Sequence, residues 1–437
     1  MKRLVCAVLT VMLIMACFTS CETIGGSARE LMRAPKATGD MGEIQRALYD
    51  YAGNAVSIKH PVNGTNRSAF LLADLNGDKQ DEAVAFYSTT NADGVDAIHV
   101  NLISKTKDGW KSVYDVETVG SSIDKVEVAD ISSTGTISLL VGVEAYSATS
   151  KQLNLFTYDG KKMTQHVQET YTDFCVYDLM GTGSKQLMIF SLNLTDRSSV
   201  VKMLTFNGEV VEQRGSVVTD GNISGYAQIV AGKLSNGTPA LYIDSYKSAV
   251  SMVTDVVYYL NGALTNPFFD TTISETQLTL RNSTKLSTDI NDDGVLDIPF
   301  TDIYPGYADK TDSDRQYVFT WKTFDGAKFT DVIKGDFYYD GGYRLKFPEA
   351  WVNNITLVTD STSKMRSYRV WDPEAQTSTD EILRIRVYDI DAFAKLNTDD
   401  MIELARSETT VWAARIVMSE GEYAIDETTL KELFELI

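Results

Sequence analysis

From about residue 65 the chain alternates short apolar runs with polar turns, and one unit returns five times, at residues 68–87, 125–142, 174–190, 227–243 and 285–300. Each copy is an apolar run, a turn of Asp, Asn, Gly and Ser, then a second apolar run. The turns begin at Asp74, Asp130, Asp178, Gly232 and Asp289, at spacings of 56, 48, 54 and 57 residues. A recurring period of this size marks a repeat array. Two further strands can be read between the turns, over 97–105 and 110–119 in the first unit and 200–206 and 210–218 in the third. Four short strands per repeat is the count of a propeller blade. The pattern therefore predicts a mainly β chain in which residues 65–336 form a five-bladed β-propeller. The segment 55–62 is a candidate strand to complete the last blade and close the ring.

The flanks follow other rules. Residues 22–39 have no periodicity and read as a tether, and 22–64 as tether plus short helix. Asp40 and Glu43 have capping-box spacing, and Ile44, Ala47, Leu48 and Tyr51 fall on one helical stripe. Beyond 337 the repeat stops. Alternating strands at 355–359, 366–371, 382–390 and 410–418 and a closing helix from Asp426 predict a separate α+β domain over 337–437. Its opening, Tyr343 with Phe347, Pro348 and Trp351, and its closing helix resemble PsbP-type α/β/α sandwiches.

The first 21 residues change the setting. Lys2 and Arg3 precede an apolar run from Leu4 to Phe18, then Thr19, Ser20 and Cys21. A charged start, an apolar stretch and small residues describe an export signal. The ending resembles the lipobox of bacterial lipoproteins, which implies acylation at Cys21, with Cys17 as the alternative. That places the protein on the extracytoplasmic face of the cell membrane, held by lipid alone. Cys175 is then the one thiol left in the mature chain, so no disulfide framework supports the fold. A net charge of −20 disfavours nucleic acid and anionic membrane surfaces and suits divalent cations.

Acidic residues become informative where they sit in the turns. Calcium takes six to eight oxygens, which alternate residues of a tight loop can supply. Asp289, Asn291, Asp293 and Asp297 stand at positions 1, 3, 5 and 9 of the last loop, with the Val295 carbonyl at position 7. Asp74, Asn76, Asp78 and Glu82, with the Gln80 carbonyl, occupy the same places in the first. These loops resemble the calcium loops of FG-GAP and VCBS-type repeats in integrin-like propellers, which implies Ca²⁺ at both. The three turns between carry too few acids to hold a divalent ion.

No comparable constellation for catalysis is visible. His60, His99 and His166 lie in separate segments without metal-ligand spacing, and no nucleophile-elbow motif occurs. Tyr258, Tyr259, Phe268, Phe269, Tyr338 and Tyr339 could stack on sugars, but at strand spacing they read first as core. The sequence thus predicts a non-enzymatic, surface-anchored binding or scaffolding module for a protein or carbohydrate ligand. Alternative readings are a carbohydrate-active enzyme with carboxylates on a propeller face, or an accessory lipoprotein of an envelope or transport complex.

Overall fold

The computed structural model describes residues 39–437 apart from 91–95, 119, 133 and 146–150, so the export signal, Cys17 and Cys21 lie outside the described residues. Helix α1 (Asp40–Ala52) comes first, and its apolar stripe forms as the spacing requires, burying Ile44, Ala47 and Leu48. The capping box does not form. Gly39, at φ 68°, takes the cap position, and Asp40 and Glu43 sit inside the first turn, where negative charge suits the helix dipole. Tyr51 stays 56% exposed.

Four antiparallel sheets then follow in chain order. The first holds β1 (Ser57–Ile58), β2 (Phe70–Ala73), β3 (Glu82–Thr90), β4 (Asp96–Thr106) and β5 (Gly109–Thr118). The second runs β6 (Ser122–Asp130), β7 (Ile137–Glu144), β8 (Lys151–Tyr158), β9 (Met163–Tyr171). The third runs β10 (Asp173–Tyr177), β11 (Gln186–Asn193), β12 (Ser198–Phe206), β13 (Val211–Thr219). The fourth runs β14 (Gly225–Lys233), β15 (Pro239–Tyr246), β16 (Met252–Leu260), β17 (Ala263–Thr265). A small hairpin, β18 (Phe269–Asp270) and β19 (Glu275–Thr276), interrupts the series. Each four-strand meander has the topology of a propeller blade.

The second strand of each unit explains the stacking. In β7, Leu139, Val141 and Val143 join the cluster shared with the first sheet, while Leu140 faces the third. In β11, Leu187 and Ile189 face back and Met188 and Phe190 face forward. In β15, Leu241 and Ile243 face back and Ala240 and Tyr242 forward. A strand buried on both faces reads as a continuous apolar run. That is why these segments were the visible part of the repeat.

The fifth sheet, β20 (Ile298–Ile303), β21 (Tyr317–Phe324), β22 (Phe329–Tyr338) and β23 (Tyr343–Lys346), is finished by β29 (Phe434–Leu436) from the end of the chain. The boundary expected between 336 and 337 therefore falls inside β22, and β22, β23 and β29 pair in succession across it. A sixth sheet has the order β24 (Ile355–Asp360), β25 (Met365–Asp372), β26 (Thr377–Asp389), β28 (Thr410–Ile416), β27 (Ile402–Arg406). Its strands match the four expected segments and add β27. Its inner face, with Leu357, Tyr368 and Ile385, packs on Tyr304, Val318 and Leu345 of the fifth-sheet region. The described helices here, α2 (Ile390–Phe393) and α3 (Glu427–Leu433), have four and seven residues. Asp426 caps α3 as expected, accepting from the Thr429 N–H, but Phe434 has left the helix for β29. The layer facing the sixth sheet is another sheet, so an α/β/α sandwich is not what these residues build.

Ring closure is also replaced. Strand β1, from the segment expected to complete the last blade, pairs with β3 of the first sheet. The outward face of that sheet (Ala83, Ala85, Tyr87, Ile103) is covered by α1. Among the described residues, apolar clusters join each sheet to the next, and none joins the first to the fifth or sixth. The helix is thus the end cap of a stack. Leu48→Asp, which puts a charge into that contact, is expected to expose the first sheet; dye binding to apolar surface and self-association on size exclusion would report it.

Candidate functional site

The first four turns join β2 to β3, β6 to β7, β10 to β11 and β14 to β15, and the fifth leads into β20, so each sheet of the stack from first to fifth carries one. A buried aliphatic residue anchors the start of four of them: Leu75, Ile131, Leu179 and Leu234. Ile290 takes the same place in the fifth and is partly buried. This register moves the start of the fourth turn from Gly232, which lies within β14, to Lys233.

In the first loop Asp74 accepts the N–H groups of Gly77, Asp78 and Lys79 at 2.7, 3.1 and 2.8 Å. Asn76 accepts from the Asp78 N–H, and Asp78 from the Gln80 N–H, both at 2.8 Å. Glu82 is buried with both oxygens engaged, one by the Leu75 N–H at 2.9 Å and one by the Asn76 amide at 2.6 Å. Burial raises its pKa, with Asp78 and Asp74 adding to the shift and the backbone N–H groups opposing it.

The last loop closes in the same way but leaves one atom over. Asp289 accepts the Asp293 and Gly294 N–H groups at 3.0 and 2.7 Å, and Asp293 accepts the Val295 N–H at 2.8 Å. The Asn291 amide donates to the second oxygen of Asp293 at 2.9 Å. Gly294, at φ 83°, permits the bend. Asp297 is fully buried, and its Oδ2 accepts from the Ile290 N–H at 3.0 Å. Its Oδ1 is buried with no hydrogen-bond partner. Burial pushes this carboxyl up to about 6, with Asp293 and Asp289 adding to the rise. A buried carboxylate oxygen without a donor, beside two more carboxylates, calls for a proton or a cation.

The donor set of the last loop therefore fits a hard divalent ion, and that of the first has no oxygen left orphaned. Among the described residues no three His, Cys, Asp or Glu side chains stand preassembled at metal-binding distances. In the middle loops, Asp130 accepts from Ser132 and Gly135, and Asp178 from Thr182 and Gly183. Gln186 fills the place of Glu82 and accepts from the Met180 N–H. These are hydrogen-bonded turns.

The strand leading into the last loop is held by side chains more than by a ladder. Residues 285–288, expected as a strand, keep a single bridge, Thr288 to Asp297. Asp244 accepts from the Ser287 N–H at 2.7 Å, and the buried Arg281 guanidinium donates to Asp244 at 2.9 Å and to the Lys285 carbonyl at 2.8 Å. Nothing in the spacing of these residues announced that role.

Two further features escaped the sequence reading. The turns Asp108-Gly109, Asp159-Gly160, Asn207-Gly208 and Asn261-Gly262 join the last two strands of the first four sheets, and Asp325-Gly326 joins β21 to β22, each glycine at positive φ. Asp-Gly and Asn-Gly between apolar runs are hairpin signals, so this second repeat was legible. The turn at 325–326 docks on the preceding sheet, where Asn236 donates to the Asp325 carbonyl at 2.6 Å. The other feature is a row on β3, β4 and β5. Thr89 Oγ1 lies 2.9 Å from His99 Nε2, and His99 Nδ1 lies 2.8 Å from Asp115 Oδ2. Tyr87 and Asn101 donate to Asp115 Oδ1, and His99 stacks on Tyr87 at 4.5 Å. Burial works against the Asp115 carboxylate, but the bonds from His99, Asn101 and Tyr87 outweigh it and hold its pKa below the ordinary value. Strand register alone assembles this row, pairing Tyr87 with His99 and Asn101 with Asp115. The aromatic candidates divide as well: Tyr258 and Phe268 are core, while Tyr339 is 36% exposed.

No family model matches the sequence, and no curated protein matches it. Among solved structures, a Lactobacillus plantarum protein from structural genomics is 9% identical, with 72% of this chain and 84% of that one covered and a TM-score of 0.28. The β-propeller domain of the Pyrococcus furiosus trilobed protease is 8% identical, covering 74% and 90%, at 0.28. An exo-β-1,3-galactanase from Phanerochaete chrysosporium is 8% identical, covering 76% and 80%, also at 0.28. Scores this low leave fold and function to be argued from the chain itself.

Proposed function

We propose that the protein is a lipid-anchored, extracytoplasmic binding or scaffolding module whose blade stack is braced by calcium at the last acidic loop. The observation that carries this reading is the buried, donorless Asp297 Oδ1 beside Asp289 and Asp293. Asp289, Asn291, Asp293 and Asp297 would hold the ion, with the Val295 carbonyl. Bound calcium would draw together and neutralise the three carboxylates of this loop and pin the segment that joins 285–288 to β20. The ion is structural in this reading, and the first loop is a weaker site of the same kind.

Anchoring rests on the N-terminal residues, read as an export signal ending in Cys21. Labelled palmitate is expected to follow the protein in a bacterial host, and Cys21→Ser to abolish the label or move it to Cys17. Efficient labelling of a variant lacking both thiols would refute the anchor. Calcium binding is tested by melting curves with calcium and with a chelator.

A further inference from the structure

The segment after β1 crosses to the second sheet. Val62 and Asn63 donate their N–H groups to the Ile123 and Asp124 carbonyls at 3.1 and 2.7 Å, so residues 62–63 run along β6. There the Asn63 carboxamide donates to Asp124 Oδ1 at 2.6 Å. The Lys151 ammonium, at the start of β8, donates to the same oxygen at 2.8 Å. Tyr171 in β9 donates to Asp124 Oδ2 at 2.5 Å. The Asp124 side chain is 2% exposed and that of Lys151 29%. Burial works against the Asp124 carboxylate, but the bonds from Lys151, Tyr171 and Asn63 outweigh it and hold its pKa below the ordinary value. A buried, unprotonated base thus touches an ammonium and a primary amide through one oxygen atom.

We infer that Lys151 and Asn63 join in an intramolecular amide cross-link, with Asp124 as the proton relay. Asp124 takes a proton from the ammonium, and the freed Nζ attacks Asn63 Cγ. The Nζ–Cγ bond forms, the Cγ–Nδ2 bond breaks, and Asp124 passes its proton to the leaving nitrogen. A second proton from Nζ follows the same route, so ammonium departs and Asp124 is a carboxylate again. No oxidant or cofactor enters. Reactants held side by side gain the rate of an intramolecular step, and a positioned relay adds about 10²–10⁴-fold. The bond ties the chain between α1 and β2 to the second sheet, and leaves residues 64–150 outside the path of a load applied at either end. It depends on neither the calcium brace nor the lipid anchor.

The test is mass spectrometry of the full chain carrying Cys17→Ser and Cys21→Ser, so that no acyl group alters the mass. The intact mass is expected to fall short of what the sequence requires by one ammonia. Digestion should release the peptides bearing Asn63 and Lys151 as one joined species. Ring closure at Asn63-Gly64 would also lose ammonia, but it would leave those peptides separate. Lys151→Arg keeps the ion pair and removes the nucleophile, so the joined species should vanish entirely. Asp124→Asn is expected to slow joining by about a hundredfold or more. An unreduced intact mass after prolonged incubation, separate peptides, or an ammonia loss that persists in Lys151→Arg would each overturn the proposal. Lys151→Arg decides the matter if Asp124→Asn does not fold.

Discussion

Calcium is expected to raise the melting temperature of this protein, and a chelator to lower it. That is the expected result if the last loop is a site, because an ion that binds only the folded chain stabilises it by mass action, by about 2.7 kcal/mol at a hundred times the dissociation constant. Asp289→Ala should remove most of the difference, since its carboxylate closes the loop on Asp293 and Gly294. Asp178→Ala should keep it, because the third loop has Gln186 where an acid would be needed. Coincident curves with calcium and chelator would refute the brace. A pH dependence follows from Asp297, whose carboxyl is pushed up to about 6. The folded state then holds a proton that the unfolded chain releases near its ordinary value of about 4. Without calcium, stability from this group is complete below about pH 4 and lost as pH rises through about 6, a change on the order of 2 kcal/mol. Asp297→Asn should flatten that slope. Calcium takes the place of the proton, so its affinity should climb over the same interval.

Arg366→Met is expected to destabilise the fifth and sixth sheets together. Arg366 in β25 donates to both oxygens of Asp336 in β22, at 2.5 and 2.8 Å, and the Tyr368 hydroxyl donates to the same carboxylate at 2.6 Å. Asp336 is 1% exposed. Removing one member of a buried pair strands the other, at a cost of about 3–5 kcal/mol. Denaturant unfolding followed in Trp321 and in Trp351, one on each sheet's side of the contact, should show a single transition shifted to lower denaturant. Two separate transitions, with only the later residues shifted, would restore an independent C-terminal domain.

The sequence disclosed what depends on local pattern. The apolar second strands, the acidic turns, the stripe on α1 and the Asp426 cap were all readable because period and turn chemistry are properties of neighbouring residues. It concealed what depends on partners far away in the chain. Whether Phe434 ends a helix or joins β23 is decided by an open sheet edge about 90 residues earlier, where Tyr343 and Leu345 offer pairing. Whether the first sheet meets the last or meets a helix is decided by α1 covering Ala83 and Ala85. The two acidic loops looked equivalent as strings. They differ in where an amide points, since Asn76 donates to Glu82, whereas Asn291 donates to Asp293 and leaves Asp297 with a buried oxygen that has no donor.

A helix that occupies the face a closing blade would need has a consequence for how the molecule can change. A ring fixes its number of units by geometry, since one more or one fewer alters every angle. A stack capped by a helix has no such constraint, and its energetics approach those of a one-dimensional chain of nearest neighbours. Units could be gained or lost in the interior provided the α1 cap is kept. Loss of the α1 cap would uncover the apolar face of the first sheet, so that face is where a change in unit number would be felt first.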